Sequence, residues 1–217
     1  MDTGPGPGVP IRSLADVDVR GVAEALDDGG YDTSWWYDPA TGQIEIGLSE
    51  MAAFDAGEDE VDEPSERGFV RIESAGSRPA YLDMVAFADA VGELRAADLL
   101  QRALQGKGAF RRFRDTVEDF PDVRAHWLTY ARAAAEARAI EWLAAERYVA
   151  DADAERGLAT CAATMDAVVA AIGRPLGFVV EAAAVVERWA EVEATLDAGH
   201  DVTLQRDGRP WATITPR

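Results

Sequence analysis

The string Trp35-Trp36-Tyr37-Asp38-Pro39-Ala40-Thr41-Gly42-Gln43-Ile44-Glu45-Ile46 sets aromatic and β-branched residues on both sides of a Pro/Gly turn. A string of this kind closes into an antiparallel hairpin. A third short strand, Phe69 to Ile72, is predicted to join it. From about Tyr81 to residue 150 the composition turns helix-forming, with breaks expected at Gly92, at Gly106-Lys107-Gly108 and at Pro121. One small sheet beside a long helical stretch defines an α+β domain over residues 11–150, a small antiparallel sheet covered by a helical layer. Ahead of the hairpin, Ser13 is placed to cap a helix running through about Leu26, and residues 1–10, rich in Gly and Pro, read as a disordered lead.

After the first domain, the polar stretch DADAERG over residues 151–157 reads as a joint or as a frayed helix end, and 151–175 as a linker and a helix from about Leu158 to Ile172. Residues 176–217 then form a separate β-α-β-β module. Its elements are a short apolar strand around Phe178 to Val180, a helix with Ala182, Val185, Val186, Trp189, Val192 and Leu196 on one face, and a hairpin turning on Asp207-Gly208. A two-residue turn there pairs Arg206 with Arg209, Leu204 with Trp211 and Val202 with Thr213, with Ile214 pointing the other way. About forty residues sit near the lower limit for an independent core, so Val185, Trp189, Val192, Leu204, Trp211 and Ile214 are expected to serve dimerisation.

Charge is unevenly spread over the 217 residues, whose formal net is −19. Residues 1–101 hold 22 acids and 6 bases, 102–150 hold 7 and 9, and 151–217 hold 11 and 6. Lys and Arg supply most nucleic-acid affinity, so a surface this acidic argues against whole-surface binding to DNA, and a basic protein is a better-matched partner. The run from Glu50 to Glu66, eight acids without a base, lacks the ligand spacing of a calcium loop and reads as a solvated loop. The opposite extreme is the window 102–114, with five bases and no acid around Gly106-Lys107-Gly108-Ala109-Phe110-Arg111-Arg112-Phe113-Arg114. Helical spacing puts Phe110, Phe113, Val117 and Phe120 on one apolar face and sends Arg111 and Arg112 outward. Lys107, Arg111 and Arg112 then either bind RNA or a nucleotide phosphate at a helix start, or hold the acidic sheet layer, with Arg114 on a partly buried carboxylate. The spacing is not that of a P-loop.

Catalytic signals are sparse. His126 lies among helical aromatics and His200 beside Asp201 at a turn, Cys161 sits among Ala and Thr, and no G-x-S-x-G elbow occurs. One cysteine and two histidines exclude an internal disulfide and leave no zinc spacing. No catalytic residue, cofactor or metal is therefore expected. Neither an apolar membrane span nor a secretory signal is read, so the expected location is cytoplasmic.

Two stretches carry resemblances. The hairpin Tyr37 to Gln43, the stretch Gly106 to Phe113 with Arg114-Asp115, and Trp127 with Glu141-Trp142-Leu143 resemble the uncharacterised protein family 0158 from about Ile11 to Val149. That likeness implies an α+β domain and no particular activity. The tail from about Phe178 to Arg217, with Leu196-Asp197-Ala198-Gly199, the run Asp201 to Pro210 and Ala212-Thr213-Ile214, is similar to the amino-terminal module of prevent-host-death antitoxins. This second likeness implies a homodimer, weak DNA contact through Arg206 and Arg209, and a toxin as protein partner. The trailing segment that grips the toxin in that family has no counterpart before Arg217. The expectation is a non-enzymatic regulatory or interaction protein.

Overall fold

Asp18 divides what reads as one amino-terminal helix into two elements. In a computed structural model describing residues 11–30, 33–48, 64–173, 178–197, 201–207 and 209–215, Ser13 caps only a 3-10 turn, Leu14–Asp16, and Val17 is extended. The Asp18 carboxylate then accepts the Gly21 N–H at 2.8 Å and starts α1 (Val19–Asp27). A second short acceptor in the same stretch has captured the helix start, as N-cap chemistry allows.

The chain divides into two compact units, Met1–Asp83 with Leu128–Asp166, and Met84–Trp127 with Ala167–Arg217. In the first, β1 (Thr33–Asp38) and β2 (Gln43–Leu48) form the expected hairpin, Trp35 opposite Ile46 and Tyr37 opposite Ile44. Asp38 ties the turn by accepting from Ala40 N–H and Thr41 Oγ1 at 2.8 and 2.6 Å. Gly42 has φ +78°, and a Cβ there would lie 2.5 Å from the Asp16 carbonyl, so both conformation and space call for glycine. β3 (Val70–Ile72) joins the free side of β1, giving the order β2-β1-β3. The first helix after it, α2 (Ser77–Ala90), begins four residues before the expected Tyr81.

Two long helices contribute to this unit, α5 (Pro121–Ala145) and α6 (Asp151–Ile172). Residues 151–157 form the opening turns of α6, so the helix begins before the expected Leu158, and they carry acids at its positive end. Gly157 permits close approach here, because a Cβ would lie 2.6 Å from Leu14 and 2.9 Å from Ile140. Tyr37, Val22, Ile72, Leu143, Tyr148 and Val149 are buried in one core. Ile140 and Leu143 are both buried, consistent with a helix covered on more than one side, whereas Ala145 is exposed and Tyr148 lies beyond the helix end. Arg147 takes the left-handed position at φ 60°, and the Tyr148 N–H returns to the Leu143 carbonyl at 2.8 Å.

The second unit contains α3 (Leu94–Ala103) and α4 (Ala109–Glu118), separated at the predicted glycines. Phe87 and Phe113 meet Trp127 edge-on at 5.1 and 4.9 Å. Phe110 departs from its expected face: Ala109, Phe113 and Val117 are buried, while Phe110 is 44% exposed.

The same unit ends in the β-α-β-β module: β4 (Phe178–Glu181), a 3-10 turn Ala182–Ala184, α7 (Trp189–Asp197), β5 (Val202–Arg206) and β6 (Arg209–Ile214). β4 runs parallel and β6 antiparallel to the central β5. The expected apolar helix face from Ala182 is not formed, because α7 begins only at Trp189, after the β-branched pair Val185-Val186. The hairpin register is corrected as well. Arg206 pairs with Arg209 and Gln205 with Pro210, then one extra residue enters β6, so Leu204 faces Ala212 and Val202 faces Ile214. Pro210 lacks an N–H for the ladder, and prolines in sheets settle at edges and bulges. Ile214 therefore turns to the core side, and Trp211 is the unpaired residue. The α+β class holds throughout.

Candidate functional site

The basic loop is organised by Arg112. Gly106 and Gly108 have φ values of 72° and 79°, bending the chain sharply between α3 and α4. Into this bend Arg112 Nε donates to the Ala103 carbonyl at 3.1 Å, and its Nη atoms donate to the carbonyls of Lys107, Gln105 and Gly106. Carbonyls at and beyond the end of α3 have lost their helical donors, and a guanidinium there meets the negative end of the helix dipole. Arg112 thus points into the loop rather than outward.

Its two neighbours stay at the surface. Arg111 is 3.6 Å from Asp115, and exposed Lys107 makes no ion pair among the described residues. Arg114 is exposed, 4.0 Å from exposed Asp115, so it holds no partly buried carboxylate. Replacing Arg112 by alanine is expected to lower unfolding free energy by about 2 kcal/mol, whereas Lys107→Ala and Arg111→Ala should change it by less than about 0.5 kcal/mol, as read by urea denaturation.

The half-buried ion pair belongs to a residue that sequence reading passed over. Arg138 on α5 donates to Asp83 at 2.6 Å and to Asp27 at 3.0 and 3.2 Å, its side chain 17% exposed. Burial opposes its charge, but the two carboxylates outweigh that and raise its pKa. Partners 55 and 111 residues away leave no local signal.

A groove of about 590 Å³ lies between α1 and α5. Its charges are matched within the chain: Arg20 with Glu24 at 3.1 Å, Arg132 with Glu136 at 3.8 Å, and Asp27 with Arg138. Asp28, its pKa lowered by hydrogen bonds from Trp35 and Gly30, accepts the Trp35 indole N–H at 2.7 Å. Each of these charged groups is thus engaged by a partner within the chain.

His126 Nδ1 lies 2.8 Å from the Asp122 carbonyl, and Cys161 is buried, its thiol pKa raised by desolvation and then by Glu136. His200 lies outside the described residues.

In the carboxy-terminal module Val192 is fully buried, and Val185, Leu204 and Ile214 pack against the same small core of Val180, Val192 and Val202. Of the six expected dimerisation residues, this leaves Trp189 and Trp211 open, at 50% and 61% exposure. Two residues absent from the expected set, Val179 and Val186, are also exposed. Strand alternation identifies Val179 in retrospect, since its neighbours Phe178 and Val180 face the core. Arg206 and Arg209 stand opposite one another in the strand register across the turn.

These elements define the class: an α+β protein with one three-stranded antiparallel sheet, a predominantly helical remainder and a small mixed sheet near its carboxy-terminal end. The chain belongs to the uncharacterised protein family UPF0158, whose model matches residues 19–165. The match opens on the first residue of α1 and runs into α6, further than the expected limit near Val149. No curated protein and no solved structure matches the chain.

Proposed function

We propose that this chain is a non-enzymatic regulatory or interaction protein whose carboxy-terminal module pairs with a second copy of itself. One observation carries the reading: a module with three buried core residues leaves Val179, Val186, Trp189 and Trp211 exposed. Exposed large apolar residues concentrated in so small a unit mark an association surface, because units of this size seldom bury enough area alone. The likeness of residues 178–217 to the antitoxin module supports the same reading, and so does the commitment of Arg112 to its own loop, which weakens the alternative of RNA or nucleotide-phosphate binding at residues 107–112. A toxin-like or basic protein is the further partner that the likeness and the acidic composition suggest.

Light scattering on the full chain across a concentration series tests the pairing. A mass twice the 23.4 kDa of one chain is expected. A single-chain mass at every concentration overturns the proposal.

A further inference from the structure

Resting on that reading, we infer that the two copies meet through the open face of the β4-β5-β6 sheet, stacked sheet on sheet about a two-fold axis. Alternation along the strands sorts the module into two faces. Phe178, Val180, Val202, Leu204 and Ile214 belong to the side packed with Val192 of α7. On the other side Val179, Thr203 and Thr213 are paired in one row across all three strands. Trp211, two residues before Thr213 on the same strand, stands on that side and is exposed.

Charge selects the occupant. A chain of net charge −19 repels its own copy, so contact between copies is confined to a surface where charge is scarce. The row of Val179, Thr203 and Thr213 carries none. The acids that share this face, Glu181 and Asp201, lie at its opposite ends, where a stacked pair keeps them at a wet rim. A cationic partner would find no carboxylate at the centre of the face, whereas a second sheet brings the same Val, Thr and Trp surface to it. Self-complementarity of one patch is the requirement of a two-fold interface.

The test compares full-length variants by light scattering, with circular dichroism to follow the fold. Thr203→Lys places a charge at the middle of the face, and Thr213→Lys does so on the edge strand, where an exposed position accepts lysine readily in a single copy. Each should weaken self-association on the order of a hundredfold or more, as expected for an unpaired charge closed into an interface. Val186→Lys, on the turn before α7, should leave the dimer intact. Dimers that persist in a folded Thr213→Lys chain overturn the sheet-face inference and leave self-association standing. Dissociation by Val186→Lys alone also overturns it, moving the contact to the helix side. An unsubstituted chain that is monomeric throughout removes this inference and the proposal beneath it together.

Discussion

Replacing Tyr37 by alanine is expected to cost about 3–5 kcal/mol of stability, the range for emptying a buried aromatic site, read as a shift in the urea midpoint with little change of slope. Tyr37 is fully buried at the centre of the first unit, its ring 5.7 Å from Trp142 in an edge contact and 4.7 Å from Tyr148. Its backbone lies in the middle strand, paired on both sides by Ile44 and Val70. Removing the ring withdraws contacts from the sheet and from the aromatic cluster at once.

Tyr37→Phe separates the ring from its hydroxyl. That hydroxyl has no hydrogen-bond partner among the described residues. Taking it away should therefore leave stability unchanged or raise it by about 1 kcal/mol, since an unpaired buried polar group is a cost that phenylalanine lacks. Desolvation pushes the phenol pKa up to about 12 from its ordinary value of 10.0. The folded state thus favours the neutral phenol, and its contribution is complete below pH 10 and declines as pH rises toward about 12. Thermal melts over that range should show part of the alkaline loss disappearing in Tyr37→Phe, while Tyr130 and Tyr148, whose pKa values burial also raises, keep the remainder. A phenylalanine variant that is less stable by more than 1 kcal/mol would show that the hydroxyl is satisfied.

Arg138→Ala is the second large effect, about 2–4 kcal/mol. The guanidinium joins Asp27 at the end of α1 to Asp83 on α2 from its own position on α5. Deleting it leaves Asp83, 21% exposed, and Asp27, 36% exposed, without their cation. Breaking one side of a buried ion pair costs more than the pair itself contributes, and the partial exposure here brings the figure below that for a dry interior. Adding Asp83→Asn to Arg138→Ala should recover part of the loss, because the stranded charge is then gone. Full additivity of the two substitutions in urea denaturation would show that they do not interact.

Local chemistry made much of the fold legible in advance. Pro39 and Gly42 between strand-forming residues specify the first hairpin, and Gly92, Gly106, Gly108 and Pro121 separate the helices because each opposes a continuing helical backbone. The departures come from choices that only neighbours decide. Asp18 outcompetes a continuous helix from Ser13, and the polar stretch ending in Gly157 is helical because that glycine fits where Leu14 and Ile140 crowd the helix. At the basic loop helical spacing sends both Arg111 and Arg112 outward, but the uncapped carbonyls that turn Arg112 inward exist only once α3 has ended. Arg138 was invisible for the opposite reason, since its carboxylates are assembled from distant positions by the tertiary fold.

The additional residue in the last strand acts on the chain as a phase shift. Ahead of it the two-residue turn dictates which side chains look inward, and beyond it that assignment is reversed, so Ile214 feeds the interior while Trp211 is left on the open side of the sheet. Strand length here consequently matters more than side-chain chemistry. Deleting a single position would invert everything downstream, sending Ile214 outward and presenting a different surface to the solvent without changing one remaining residue.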